Sequence, residues 1–113
     1  MKRKTLRNHN DFIVPRDCIS ARSDLFLLKT KHAKIPGDAR YGIVVSKRIF
    51  NLAVKRNRAK RLLRDWIAYN EDLMNPDLDY IFIADEAILD ANRDMGRAEI
   101  KSAFEKITKQ YDK

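Results

Sequence analysis

The chain has 113 residues, of which 44% are hydrophobic, enough for one domain with a modest core. It carries 24 Lys and Arg against 16 Asp and Glu, a net charge of +8. No apolar run approaches the roughly 18 residues that span a bilayer, and no apolar stretch follows the basic N-terminus as in a signal peptide. A lone Cys18 forms no internal disulfide. We therefore expect one cytoplasmic domain, residues 1–113, with 1–5 and about 110–113 frayed, and no membrane partner.

The first part of the chain predicts a short helix followed by strands. The helix runs from Leu6 to about Pro15, whose ring disfavours helical geometry in the preceding residue. Residues 18–33 predict one or two strands, and Pro36-Gly37 predicts a turn. The β-branched stretch Tyr41–Ser46 predicts a buried strand. We expect the strands on either side of the turn to form an antiparallel pair.

The second part predicts two amphipathic helices separated by a strand. The first helix runs from about Leu52 to Tyr69, and Trp66 on its apolar stripe is predicted to be core rather than a base-stacking platform. Residues 80–84 predict a buried strand. The order of elements indicates an α/β sandwich with helices on a mainly antiparallel sheet, in which the strands flanking the central helix are open to a parallel arrangement. The apolar positions are Ala59, Leu62, Leu63, Trp66 and Ile67 in the first helix and Ile100, Ala103, Phe104 and Ile107 in the second.

The net charge lies in a window from Lys47 to Arg64. This window contains eight basic residues and no acidic one, and the sixteen basic residues outside it equal the sixteen acidic ones. Such concentrated charge predicts a polyanionic partner, with nucleic acid favoured. Arg56, Lys60 and Arg64 recur every four residues, about 6 Å apart along a helix, which is close to the spacing of phosphates in a strand. Arg58 lies near the register of Asp65 and is open to an ion pair with it.

No residue pattern predicts a catalytic site in this chain. The sequence has no Asp, Glu and His cluster typical of a nuclease metal site, and no spacing that suggests a nucleophile with its base. Asp85-Glu86 is better explained as an acidic turn than as a metal-binding pair. A binding protein is therefore predicted. Two kinds of binding protein are open at this point, a general structured-RNA binder such as a ribosomal protein and a DNA-binding regulator. A protein-only nuclease is the remaining alternative, and the missing acidic cluster disfavours it.

The stretch Tyr41–Asp65 closely resembles the bacterial ribonuclease P protein subunit. It joins a strand that reads YGIVVSKR to Asn51 and then to the run Arg56-Asn57-Arg58. Segments near Leu6–Phe12, in the strand at 80–84 and in the last helix extend the resemblance over nearly the whole chain. It implies the order α-β-β-β-α-β-α, a four-stranded mainly antiparallel sheet and a left-handed βαβ crossover, as in the ribosomal protein S5 domain 2-like fold.

This resemblance also implies a role in tRNA 5′-end maturation. In that family a catalytic RNA with bound Mg²⁺ cleaves precursor tRNA, and the protein contacts both that RNA and the 5′ leader. The implied partners are the catalytic RNA subunit and precursor tRNA, with no protein partner, no catalytic residue and no metal ligand in the protein, and Mg²⁺ supplied through the RNA. By position, the implied RNA-binding residues are Lys47, Arg48, Asn51, Lys55, Arg56, Asn57, Arg58, Lys60, Arg61 and Arg64.

The resemblance places the leader in a cleft between the first helix and the sheet. Its implied residues are Phe12, Arg16, Phe26 and Leu28, although an ordinary core role is equally open to Phe12 and Phe26. Three positions differ from the family's pattern: Phe50 stands where Gly is usual, Arg16 replaces a second aromatic residue, and Asp85 follows the fourth strand where a basic residue is common. We expect a changed turn into the central helix and a less aromatic cleft.

Overall fold

A computed structural model describes residues 4–6, 12–16, 18–33, 37 and 39–111. Five strands form one sheet in the order β1-β4-β5-β3-β2, and two long helices each bury one side in the core. The strands are β1 (Lys4–Thr5), β2 (Ser20–Arg22), β3 (Phe26–His32), β4 (Arg40–Val44) and β5 (Leu78–Ala84). The helices are α1 (Ala53–Tyr69) and α2 (Arg93–Tyr111), and short 3₁₀ helices cover Glu71–Leu73 and Glu86–Asp90.

Strand β5 is the centre of the sheet. It pairs antiparallel with β3 and parallel with β4, while β2 pairs antiparallel with β3. The predicted four-stranded, mainly antiparallel sheet is therefore confirmed, and two-residue β1 adds a parallel edge to β4. The expected antiparallel pair of β3 and β4 is wrong, because β5 lies between them. The burial of six of the seven residues of β5 fits this central position.

Helix α1 connects β4 to β5, so these two parallel strands form a βαβ unit with no strand between them. The predicted central helix is confirmed to within one residue at its start. The left-handed course of the crossover stays a prediction. No helix in the described part of the chain is long and apolar enough to cross a membrane.

The main core lies between one face of the sheet and both helices. Trp66 is fully buried, which confirms its predicted core role. The ring of Phe104 makes edge-to-face contacts with Tyr80 and Phe82 at centroid distances of 5.2 and 6.0 Å. Helices α1 and α2 approach closely at Gly96, where a Cβ atom would lie 2.1 Å from the Trp66 indole. The predicted apolar positions of both helices are buried, and Leu62 is partly buried against the core.

Several predictions fall on the chain termini and the turn. Residues 7–11 of the predicted first helix lie outside the described residues, and the prediction is wrong at residues 13–15, which are not helical. Frayed ends were expected, but Lys4–Thr5 forms β1, and α2 continues through Tyr111. Most of the predicted turn lies outside the described residues. Within it, Gly37 has a φ of +105°, a conformation that favours glycine.

Candidate nucleic-acid interface

The basic window folds into one loop and the first turns of α1. Eight of its ten predicted RNA-binding residues are exposed, and Arg56 and Lys60 are half-buried. Among the described residues, no carboxylate forms an ion pair with any of the ten. We call Arg56, Asn57, Lys60, Arg61 and Arg64 the basic face of α1. Since no carboxylate of a described residue pairs with these cations, a bound anion would reduce their mutual repulsion.

The start of α1 also favours an anion. The N-cap residue, Leu52, makes no side-chain hydrogen bond to the helix, and no acidic residue lies in the first turn. Unpaired N–H groups at a helix start carry partial positive charge, which the nearby cations increase. The loop and the first turn therefore add to the positive potential of the basic face.

Arg58 and Asp65 do not form the ion pair that their register left open. Asp65 Oδ1 instead lies 3.6 Å from Nη2 of Arg97, in α2. The Arg97 guanidinium carbon lies 4.1 Å from the centre of the Tyr69 ring, which holds this side chain over the end of α1. Arg58 is exposed at the other end of the helix, so its predicted contact with RNA stays a prediction.

A cavity of about 180 Å³ brings an aromatic ring and two cations together at the sheet edge formed by β1 and β4. The Phe12 ring reaches this place by packing on Gly42, where a Cβ atom would lie 2.4 Å from Phe12 Cε1. An aromatic wall beside an ammonium and a guanidinium group suits one nucleotide, because a base can stack while its phosphate binds the cations. The described residues that line the cavity include no acidic one; they are Leu6, Phe12, Tyr41, Ile43, Lys60 and Arg64.

The sheet face turned away from the helices forms a second part of this region. In β3 the half-buried residues alternate with the buried ones, and the strand register places their neighbours from β2, β4 and β5 beside them. Residues 12–16 lie against this face, since the Ile13 carbonyl accepts a hydrogen bond from Lys31 Nζ at 3.2 Å. We call this surface the open face; it comprises Arg22, Leu27, Lys29, Lys31, Val44 and Ile83.

The structure contradicts two residues of the predicted leader cleft. Phe26 is 1% exposed and Leu28 is 0% exposed, and both point into the main core. Phe26 packs edge-to-face on Phe82 with ring centroids 5.5 Å apart. Because side chains alternate along a strand, the residues that reach the open face are the neighbours Leu27 and Lys29. The sequence feature that indicates this orientation is the pair of lysines in β3. Lys29 and Lys31 cannot lie on the face that the helices cover, so Phe26 and Leu28, on the opposite face, belong to the core.

The other predicted cleft residues lie nearer the open face. Phe12 is half-buried at the cavity described above, and Arg16 is exposed. At the far end of β5, Asp85 Oδ1 accepts a hydrogen bond from the Ala87 N–H at 3.0 Å and caps the following 3₁₀ helix, as expected of an acidic turn. Phe50 is fully buried before α1. Residue patterns alone did not identify Leu6, Tyr41 or Ile43 as cavity-lining residues.

Comparison with known proteins gives the same family at the levels of sequence and structure. The family model described as ribonuclease P matches residues 1–108. The ribonuclease P protein component of Desulforapulum autotrophicum is 40% identical over 62% of this chain and 59% of its own length. That of Bacillus velezensis is 34% identical over 95% of this chain and 91% of its own length.

A solved structure extends the similarity to the fold. The RNase P protein of Staphylococcus aureus has a TM-score of 0.69 and 25% identity to this chain, covering 97% of it and 96% of the S. aureus chain. The family match spans nearly the whole sequence, and it includes the basic window, the sheet, α1 and α2 as far as residue 108. The chain belongs to the ribonuclease P family, as a protein component of that enzyme.

Proposed function

We propose that this chain binds the catalytic RNA of ribonuclease P through the basic face of α1 and the preceding loop, and the 5′ leader of precursor tRNA through the open face. A cavity brings Lys60 and Arg64 of the basic face to Phe12, and the segment 12–16 that carries Phe12 lies against the open face. This convergence is the observation that carries the proposal. An RNA strand that leaves the basic face meets an aromatic ring without leaving the positive potential.

Binding of the catalytic RNA is supported by the spacing of charge along α1. Arg56, Lys60 and Arg64 follow one another at about 6 Å, so successive side chains can contact successive phosphates of one strand. Arginine offers a planar fork to phosphate oxygens, whereas lysine offers a point charge. Phosphate contacts of this kind position an RNA without reading its sequence.

Binding of the leader is supported by the composition of the open face. Leu27, Val44 and Ile83 supply apolar area for unpaired bases, while Arg22 and Lys29 supply charges for the backbone. Such a surface accepts many sequences, because apolar and stacking contacts do not depend on base identity. A leader of variable sequence needs that tolerance.

In this proposal, bond cleavage and the Mg²⁺ that supports it belong to the RNA subunit. In the described part of the chain, no group of three or more His, Cys, Asp and Glu residues is placed to hold a metal ion. The protein's contribution is electrostatic and geometric. Its cations reduce repulsion between the catalytic RNA and its substrate, which lowers the Mg²⁺ concentration that cleavage requires.

The test is cleavage of precursor tRNA by a bacterial catalytic RNA at low Mg²⁺, with and without this chain. We expect the wild-type chain to restore cleavage, the chain alone to give none, and the Lys60→Ala/Arg64→Ala variant to restore little. Lys106→Ala/Lys109→Ala is the matched control, since it removes two exposed cations from α2.

Equilibrium binding to the assembled RNA–protein complex completes this experiment. Precursor tRNA with a leader should bind more tightly than mature tRNA only when the protein is present. A chain that binds RNA but leaves cleavage and leader preference unchanged is a general RNA binder. Cleavage by the chain without RNA would place an active site in the protein.

A further inference from the structure

The loop between β4 and α1 is folded into a compact turn. The Phe50 N–H donates to the Ser46 carbonyl at 2.8 Å, and the Arg48 N–H donates to Ser46 Oγ at 3.0 Å. The Phe50 side chain is fully buried and anchors one end of the turn in the core. Lys47 and Arg48 are thereby exposed at the tip of a loop that has a defined shape.

One member of the basic face reaches back to this turn. Arg56 Nη1 donates to the Phe50 carbonyl at 2.7 Å. Arg56 is half-buried because it lies seven residues, nearly two helical turns, before the buried Leu63 and so borders the apolar stripe of α1. A hydrogen bond from a charged donor at this distance is among the stronger single links available to a loop. Lys60 and Arg64, farther along the helix, have no such bond to the loop.

We propose that Arg56 is a positioning residue, which fixes the Lys47-Arg48 tip relative to the basic face so that both bind one RNA surface. This inference rests on the proposed function. A guanidinium group has five N–H donors, and the bond to Phe50 uses one of them. The remaining donors can bind a phosphate at the same time. Arg56 would then join the protein loop, the helix and the RNA backbone at a single point.

This role requires arginine at position 56. A lysine there keeps the positive charge, but a single ammonium group lacks the planar fork that serves a carbonyl and a phosphate together. If Arg56 were only one more cation on the basic face, lysine would replace it without loss. Arg56→Lys therefore separates positioning from simple charge, and Arg56→Ala removes both.

The first measurement is hydrogen exchange in the free protein. We expect the amides of Arg48 and Phe50 to exchange about tenfold faster in Arg56→Ala and Arg56→Lys, because a charged hydrogen bond that holds the turn is lost or weakened. Amides of β5 should be unchanged, which establishes that the fold persists. Arg64→Ala is the matched control and should leave the loop amides protected. Unchanged exchange at Arg48 and Phe50 in both Arg56 variants would overturn the inference, whatever the protein binds.

The second measurement is the salt dependence of binding to the catalytic RNA. Each phosphate contact contributes roughly 0.7–0.9 to the slope of log K against log salt. We expect Arg64→Ala to lower the slope by about one contact and Arg56→Ala by two to three contacts. In a chain that already carries Lys47→Ala and Arg48→Ala, adding Arg56→Ala should lower it by only about one contact, because the tip no longer contributes.

The outcomes separate this inference from the function on which it rests. Additive losses in the combined variant, or full recovery of slope and affinity by Arg56→Lys, would refute positioning while leaving RNA binding intact. A wild-type chain without salt-dependent binding to the catalytic RNA would refute the proposed function, and hydrogen exchange would still report on the loop. Smaller losses in the combined variant together with failure of Arg56→Lys support the inference.

Discussion

Arg40 and Asp79 face each other across the parallel strands β4 and β5 and form a two-point ion pair. Arg40 Nη2 lies 2.7 Å from Asp79 Oδ2, and Arg40 Nε donates to Asp79 Oδ1 at 3.1 Å. The Asp79 side chain is fully buried. Since the two residues are also register partners, the pair holds β4 against the central strand at the point where the βαβ unit begins.

Breaking this pair should destabilise the fold. We expect Arg40→Ala to lower the free energy of unfolding by about 3–5 kcal/mol, because the buried Asp79 carboxylate is left without its cation. Replacing both residues, as in Arg40→Met/Asp79→Leu, should recover much of that loss, since no buried charge remains. Urea denaturation of the single and double variants measures both values. A double variant as unstable as the single one would mean that the pair itself stabilises the sheet.

Residues on opposite faces of β3 should give opposite phenotypes. Phe26→Ala should lower the free energy of unfolding by about 3–5 kcal/mol, because the ring is buried in the main core. Lys29→Ala should leave stability nearly unchanged and weaken binding of precursor tRNA but not mature tRNA. Denaturation curves and titrations of the assembled RNA–protein complex report the two effects. If a stable Phe26→Ala protein lost its preference for precursor tRNA over mature tRNA, Phe26 would be a leader-binding residue rather than a core residue.

The basic face should appear directly in the ionic strength dependence of RNA binding. Lys60→Ala and Arg64→Ala should each lower the slope of log K against log salt by roughly 0.7–0.9, and their combination should lower it by about twice that amount. Lys109→Ala removes the same charge from the far end of α2 and should leave the slope unchanged. Equal losses in all three single variants would indicate a general effect of net charge rather than a binding face.

The packing of Phe12 on β4 offers a test that removes no charge. In Gly42→Ala, the new methyl group would lie 2.4 Å from Phe12 Cε1, so the ring must move. We expect weaker binding of precursor tRNA and unchanged affinity for the catalytic RNA. Gly37→Ala is the control, because it strains the backbone at φ +105° but meets no atom within 4 Å. If wild type and Gly42→Ala bound precursor tRNA equally well, Phe12 would not be a leader-binding residue.

Tyr80 should make the fold sensitive to alkaline pH. Burial raises the pKa of its phenol to about 12, and the hydrogen bond that Oη accepts from the Asn75 N–H opposes this shift only in part. The native state therefore holds its proton more tightly than the unfolded state, whose tyrosine pKa is about 10. The resulting stability is complete below about pH 10 and is lost as pH rises through about 12. Denaturation at several alkaline pH values should show a smaller decline in Tyr80→Phe.

Local patterns predicted helices α1 and α2 well and located the cluster of positive charge, because these depend on neighbours along the chain. The stripe that contains Leu63 and Trp66 is visible at helical spacing, and burial follows from it. The basic window likewise depends only on composition. The cavity at Phe12 did not follow from such patterns, since Tyr41 and Lys60 meet there through the packing of α1 on the sheet.

The wrong strand pairing and the open role of Phe26 have the same physical origin, which is that strands pair over long distances. The turn near Gly37 indicated that β3 and β4 are neighbours, but no local feature shows that a strand from residue 78 onward inserts between them. For a similar reason, both a cleft role and a core role were open to Phe26, and the structure places it in the core. Period-two alternation separates the two faces but does not say which one the helices cover.

Because β5 lies at the centre of the sheet, the sheet cannot form until most of the chain has been synthesised. During synthesis, β1 to β4 emerge before β5, the strand that joins the β2–β3 pair to the β1–β4 pair. Helix α1, with its concentrated charge, also precedes β5. The sheet is complete only when Leu78–Ala84 pairs with β3 and β4. Folding therefore depends on contacts between distant parts of the chain and should be slow for a protein of this size. Until then the basic helix is exposed without its core, and polyanions in the cell can reach it before the native sheet exists.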